Sequence, residues 1–333
     1  MKFQVGLIGC GLIGKKRLIN IGKYGKIVSL CDKNFYKAKK LSILVKEKIE
    51  LYNNWKNLID KSSSEIIIIS TIHSELSKIL IYCIKKNKHV LVEKPGAIDP
   101  NQLLRATKLL KNKNLLIHVG YNHRFHNSIL KAQEILKKNI IGDLMYIKSS
   151  YGHGGRLNYE KEWRMNPKIS GGGELIDQGS HIIDLSNLIL GDPIKVNSKL
   201  TTSFWKTKVD DNAFLILTYK KNKIAFLHAS CSEWKNFFEF QIYGKKGKIL
   251  ISGKGGSYGQ EKLILYKMKK KMGKPSVKEY FFNEDNNNSW EKEINNFYKR
   301  IKEKNFSNNL ESSYKNLKLI KKIYKLNNYD NCS

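Results

Sequence analysis

The sequence predicts two joined architectures: an α/β domain over residues 1–122 with a parallel, doubly wound sheet, and an α+β domain over 123–333 with a largely antiparallel, open sheet. Three observations carry this reading. Residues 5–14 read VGLIGCGLIG, an apolar strand that runs straight into Gly9, Gly11 and Gly14, and the next apolar run, VSLCD, ends on Asp32. Strand and helix patterns then alternate as far as residue 119, which implies a parallel sheet covered on both faces. From residue 194 to 282, strand follows strand with only turn signals between, which implies antiparallel neighbours.

In the first domain, runs rich in Ile, Val or Leu mark strands at 3–8, 26–31, 65–70, 88–92 and 115–119, separated by helical patterns at 12–23, 34–46, 74–86 and 100–112. Pro100 suits the first turn of the last of these helices, where its missing N–H is not needed. Past residue 124 a helix at 126–138 leads to a strand at 143–151, and a glycine-rich loop feeds a helix at 173–190 that stops at Gly191-Asp192-Pro193. The strands that follow are KVNSKLTTSF, AFLILTY, KIAFLHAS, FEFQIYG, KILIS, KLILYK and VKEYFF. NEDNNNS at 283–289 reads as a surface loop, and helices at 290–304 and 310–326 close the chain, expected to pack back on the first domain.

The glycine turn has a specific chemistry. Gly9 permits the tight turn, Gly11 lets the backbone approach a pyrophosphate, and Gly14 lets the helix pack closely on its strand, while the N–H groups of Leu12, Ile13 and Gly14 at the helix start face the phosphates. Asp32 would accept hydrogen bonds from the adenosine ribose, favouring NAD over NADP because a 2′-phosphate would meet like charge. A GxGxxG preceded by a strand, followed by a helix and then by an acid at this distance marks a Rossmann dinucleotide site.

Composition bounds the remaining classes. A chain of 333 residues, 41% hydrophobic and 11% aromatic, can bury the cores of about two domains. No apolar run approaches the roughly 20 residues that cross a bilayer, and the first strand begins without a secretory leader, so a cytoplasmic location is expected. Five scattered cysteines with no ligand spacing point to neither a disulfide framework nor a metal site. The formal charge of +32 would suit nucleic acid, but the lysines lie along the whole chain beside Asn and Ile rather than on one stripe, so no nucleic-acid or membrane partner is expected.

Two further clusters bear reactive groups. Val90-Leu91-Val92-Glu93-Lys94-Pro95 puts a charged pair at the C-terminal end of a buried strand, the edge where open α/β sheets bind ligands. A lysine partly removed from water there serves as an acid, a base or a donor to a substrate hydroxyl, with Glu93 holding the site; the plain alternative is a solvated loop lysine. In Gly171-Gly172-Gly173-Glu174-Leu175-Ile176-Asp177-Gln178-Gly179-Ser180-His181 the acid and the imidazole are four apart, so on a helix Asp177 orients His181 and raises its basicity. The three glycines would let the preceding backbone approach a ligand. The alternative is a histidine merely hydrogen-bonded in the core.

GCGLIG, EKP and GGGELIDQGSHIIDL, in this order and with GYNHRF at 120–125, make the chain resemble the Gfo/Idh/MocA oxidoreductases over nearly its whole length. The resemblance implies hydride transfer between NAD, or less favourably NADP, and a carbinol of a sugar, cyclitol or sugar derivative, without a metal. It places the family's catalytic lysine, aspartate and histidine on Lys94, Asp177 and His181, and Thr71, His73, Glu93 and Lys94 beside the cofactor. Where relatives often have Thr-Pro and then a histidine, this chain has Ser70-Thr71-Ile72-His73. A homodimer or homotetramer through the open sheet is also implied. Histidine retained at 181 speaks against a non-catalytic NAD-bound regulator on the same fold.

Substrate choice falls to Asn122, Arg124 and the segment 151–170, YGHGGRLNYEKEWRMNPKIS, beside Lys94, Asp177 and His181. The chain has only six arginines, so Arg156 and Arg164 here, next to Trp163, suggest an acidic or nucleotide-linked sugar. Surface arginines in a connecting loop are the alternative. The glycine loop 253–259, GKGGSYG, reads as a hairpin connection, with an anion cradle as the lesser reading.

Overall fold

A computed structural model describes residues 2–271, 273–283, 288–329 and 332. The chain divides into two compact units, Met1–Asn122 with Trp290–Lys318, and His123–Ser289 with Leu319–Ser333.

The first unit runs β1 (Phe3–Ile8), α1 (Leu12–Ile19), β2 (Gly25–Cys31), α2 (Phe35–Ser42), β3 (Glu50–Tyr52), α3 (Trp55–Lys61), β4 (Ile66–Ile69), α4 (His73–Lys85), β5 (His89–Glu93), α5 (Pro100–Leu110) and β6 (Ile117–Gly120). Among the described residues its sheet is six-stranded in the order β3-β2-β1-β4-β5-β6, and every pairing is parallel. Strand order reverses between β1 and β4, the switch point beside which such sheets bind ligands. The four isoleucines of β4 are at most 1% exposed, as a strand covered on both faces requires. Asp99 caps α5 by accepting from the Asn101 N–H at 2.9 Å, and Pro100 takes the first turn.

β3 and α3 were not legible. β3 has three residues, none fully buried, and so no apolar run. α3 is seven residues long and is announced only by Asn54, whose side chain accepts from the Lys56 N–H at 2.9 Å.

The second unit holds α6 (Asn127–Lys137), β7 (Leu144–Gly152), a short α7 (Pro167–Ser170), α8 (Ser180–Leu190) and strands β8 (Lys195–Thr201), β9 (Asn212–Thr218), β10 (Ile224–Ser230), β11 (Phe237–Gly244), β12 (Gly247–Ser252), β13 (Glu261–Lys267) and β14 (Ser276–Phe282). Its sheet has the order β14-β13-β12-β11-β7-β10-β9-β8, antiparallel throughout except for β7 beside β10. One face is buried through Ala225, Leu227 and Ala229 of β10 and Ala213, Leu215 and Leu217 of β9. The alternate residues Phe214, Ile216, Ile224 and Phe226 are exposed, the period-two pattern of a half-covered sheet.

α9 (Ser289–Lys302) belongs to the first unit apart from its first residue, and Ile294, Phe297 and Tyr298 join Val5, Leu7, Leu30, Ile66, Ile68 and Leu91 in one apolar core. α10 (Leu310–Leu326) is the last helix. The expected surface loop at 283–289 ends earlier, because Ser289 opens α9 at 2% exposure; 284–287 lie outside the described residues. The strand expected to continue to Phe204 stops at Thr201. There the Asp211 carboxylate accepts the N–H groups of Ser203, Phe204 and Trp205 at 2.9, 2.7 and 3.1 Å, drawing the chain off the sheet. The helix expected from residue 173 begins instead as one π turn, Leu175–Gly179, that leads into α8.

Among the described residues no helix is long and apolar enough to cross a membrane, and no group of three or more His, Cys, Asp and Glu could hold a metal ion. The five cysteines are free and buried.

Candidate functional site

The glycine turn of the first unit forms a cradle. Gly9 has φ +96°, and a Cβ there would press on the Ser70 carbonyl and the Thr71 nitrogen; one at Gly14 would collide with the Gly9 carbonyl oxygen. A Cβ at Gly11 would meet nothing within 4 Å. Gly11 is also the N-cap of α1 and offers no side-chain acceptor, so the first-turn N–H groups of the helix open toward that space. The donor set fits a pyrophosphate. Asp32 closes the turn: its Oδ2 accepts from the Cys10 N–H at 2.8 Å and its Oδ1 from the Asn34 N–H at 2.9 Å, and each oxygen keeps a second lone pair for a ribose hydroxyl. Because Gly11 points into open space, Gly11→Ala is expected to keep the parental urea midpoint while weakening NAD(H) binding about tenfold or more, through displaced pyrophosphate. A calorimetric titration with parental affinity would refute the cradle.

Thr71 is half-buried against this turn, and its hydroxyl donates to the Ile72 carbonyl at 3.3 Å. Leu12 is exposed, Ile13 half-buried and His73 buried at the start of α4. Lys94, at the end of β5, is half-buried, and Asn122 is buried.

Glu93, at the end of β5, is held by an ion pair. Its carboxylate accepts from the Arg17 Nε at 2.6 Å, while Arg17 Nη1 reaches Glu293 Oε2 at 2.6 Å and the guanidinium lies 4.4 Å from the centre of the Trp290 ring. His118 adds a contact to Glu293 at 3.5 Å. Burial raises the Glu93 carboxyl above the ordinary value, with Arg17 opposing; for Glu293 burial acts the same way, but Arg17 and His118 outweigh it and leave the group low. One cation thus holds two buried carboxylates, of which Glu93 directly precedes Lys94. Glu93 anchors the loop through Arg17.

In the second unit the triglycine segment packs closely against its own unit. A Cβ at Gly172, whose φ is +151°, would strike the Tyr324 hydroxyl, and one at Gly173 would strike the Asp210 carbonyl oxygen. These glycines accept close packing by the protein itself. The Asp210 carboxylate takes the N–H groups of Gly173 and Leu175 at 3.0 and 2.7 Å and organises the π turn, and burial pushes its pKa up to about 6.

The π turn presents Asp177, whose Oδ2 accepts from Arg164 Nε at 3.1 Å. Arg164 also reaches Glu162 at 3.4 Å and lies 4.7 Å from the centre of the Trp163 ring. Arg156 is exposed and grips Glu162 with both prongs at 2.5 Å. Arg124 is matched the same way, with Nε and Nη2 on the buried Asp184 at 2.7 and 2.5 Å. His181, 5% exposed in the first turn of α8, stacks on His123 with ring centres 3.8 Å apart.

Two sequence models match: one described as an oxidoreductase family with an NAD-binding Rossmann fold, over residues 3–121, and one described as the GFO/IDH/MocA C-terminal domain, over 129–250. The chain belongs to the Gfo/Idh/MocA family. Among curated members it is 22% identical to levoglucosan dehydrogenase of Pseudarthrobacter phenanthrenivorans, over 60% of this chain and 58% of that one. It is 24% identical to the NADP(+) scyllo-inositol 2-dehydrogenase of Bacillus subtilis over 78% and 70%, and 22% identical to myo-inositol 2-dehydrogenase of Thermotoga maritima over 90% and 88%. Among solved structures, levoglucosan dehydrogenase with NADH and L-sorbose superposes with a TM-score of 0.85 at 18% identity, covering 97% of this chain and 96% of that one. A 3-ketoreductase from Actinomadura kijaniata with TDP-benzene and NADP gives 0.83 at 16%, covering 98% of each.

For this Gfo/Idh/MocA member, four side chains at the second-unit cluster escaped the sequence reading: His123, Tyr151, Lys254 and Tyr258. His123 lay inside GYNHRF, and Lys254 and Tyr258 inside the glycine loop that joins β12 to β13. Lys254 Nζ meets the Tyr151 hydroxyl at 2.7 Å and His123 Nε2 at 3.0 Å. That loop is a hairpin connection whose lysine turns inward.

Proposed function

We propose that the protein is an NAD(P)-dependent oxidoreductase that moves a hydride between the nicotinamide and a carbinol carbon of a sugar, cyclitol or sugar derivative. The observation that carries this is the cradle at Gly9, Gly11 and Gly14 with Asp32, in a family member that also keeps Lys94, Asp177 and His181. When bound, the nicotinamide accepts or returns the hydride. The alcohol must lose its hydroxyl proton as the hydride departs, and His181 takes it as a neutral imidazole. Lys94 serves as a donor that stabilises developing negative charge on a substrate oxygen. Asp177, supported by Arg164, sets the electrostatics around the imidazole. In the reverse direction these groups return the proton.

The arginine geometry shifts the substrate reading from anionic toward neutral. Arg124, Arg156 and Arg164 are already matched by Asp184, Glu162 and Asp177, so an added carboxylate or phosphate would have to displace an existing partner. A neutral polyol suits this arrangement, as do the relatives named for levoglucosan and inositols. A screen of neutral sugars and cyclitols against sugar acids and nucleotide sugars, read by cofactor absorbance, is expected to find its best substrate among the first group. Binding of NAD(H) without turnover on any of them would favour the regulator reading.

Asp32 supports NAD(H) as the preferred cofactor. Calorimetry is expected to show NAD(H) binding about tenfold more tightly than NADP(H), the scale of one close like-charge contact. Asp32→Ser should narrow that gap, and equal affinities in the parent would overturn the assignment. The exposed apolar face around Phe214, Ile216, Ile224 and Phe226 supports self-association as a homodimer or homotetramer.

A further inference from the structure

Lys254 sits in an aromatic enclosure beside His123. Its ammonium lies 3.8 Å from the Tyr151 ring centre, 4.3 Å from that of Tyr258 and 5.3 Å from that of Phe238, the faces that attract a cation. It donates to the Tyr151 hydroxyl and to His123 Nε2. An ammonium has no acceptor, so Nε2 must offer its lone pair, and a neutral His123 then carries its proton on Nδ1. His181 stacks on this same ring, with ring centres 3.8 Å apart.

We propose that Lys254 is a positioning residue that fixes the tautomer of His123 and, across the His123–His181 stack, keeps His181 unprotonated and ready to accept a proton. The proposal rests on the reading of His181 as the base. Other titratable groups lie on the elements packed against α8. The π turn contributes Asp177, paired with Arg164, and, at its N-cap, the buried Glu174, which accepts from the Tyr159 hydroxyl at 3.1 Å and meets His153 at 3.5 Å; β7 contributes Tyr151, whose hydroxyl burial holds well above its usual range. β10 carries only His228, on the pleat face opposite Ala225, Leu227 and Ala229. Asp184, on α8 itself, is matched by Arg124, and His126 beside His123 is paired with Glu261 at 3.3 Å. Lys254 adds a cation hydrogen-bonded to the ring on which His181 stacks.

The test is an NMR titration of the histidine rings in the full chain, with His181 assigned from a His181→Gln spectrum, alongside the pH dependence of turnover. In Lys254→Met the His181 titration is expected to move up by about one pH unit, the scale of one partly screened charge at this range. Lys254→Arg should restore it. Lys254→Gln, which keeps a donor toward His123 without the charge, separates the two effects and serves if the Met variant misfolds. An unmoved His181 titration in a folded Met or Gln variant overturns the proposal. The acidic limb of turnover should rise with the titration. If the titration moves and the limb does not, Lys254 keeps its influence on His181 while the assignment of His181 as the base fails.

Discussion

His181→Ala is expected to lower turnover by roughly 10²-fold or more while NAD(H) affinity stays at the parental value. Its imidazole is 5% exposed at the start of α8, and the proposed proton acceptor has no substitute when it is removed. The pyrophosphate cradle at Gly9 to Gly14 belongs to a different unit and a different stretch of chain, so the binding readout isolates chemistry from cofactor capture. Lys94→Ala should fall by a similar factor, because the developing oxyanion loses its donor. His181→Asn, which can hydrogen-bond but cannot carry the proton at neutral pH, should resemble the alanine variant. Near-parental turnover in either alanine variant would return that residue to a packing role.

Arg17→Met is expected to cost about 3–5 kcal/mol of folding stability, the scale for stripping one partner from a buried ion pair. Glu93 is 9% and Glu293 0% exposed, and the methionine leaves both carboxylates without their shared cation. The pH dependence follows. Burial already raises Glu93 in the folded state, and losing Arg17 raises it further. A carboxyl whose folded pKa lies above its unfolded one stabilises at low pH and loses that contribution as pH rises through the folded value. The gap between variant and parent in urea unfolding should therefore narrow as pH falls from 7 toward 5. A gap that is constant with pH, or smaller than about 1 kcal/mol, would show that water or rearrangement satisfies the carboxylates.

The same residues mark the division between local and tertiary information. The glycine turn, Asp32, the capped start of α5 and the alternating burial of β9 and β10 are written in neighbouring residues, because backbone conformation, capping and pleat are set within a few positions. That is why most of the strand and helix order, β3 and α3 excepted, and the kinds of chemistry could be read from the chain alone. The partners of those groups could not. Arg17 meets Glu93 across 76 residues and Glu293 across 276, and Lys254 meets His123 across 131. The sequence shows an EKP motif but not that its glutamate faces an arginine, and three arginines but not that each already has a carboxylate. Local pattern specifies which way a segment folds and what groups it bears; only the assembled sheets and packed helices decide which charges become neighbours, because that depends on distances no nearby residue encodes.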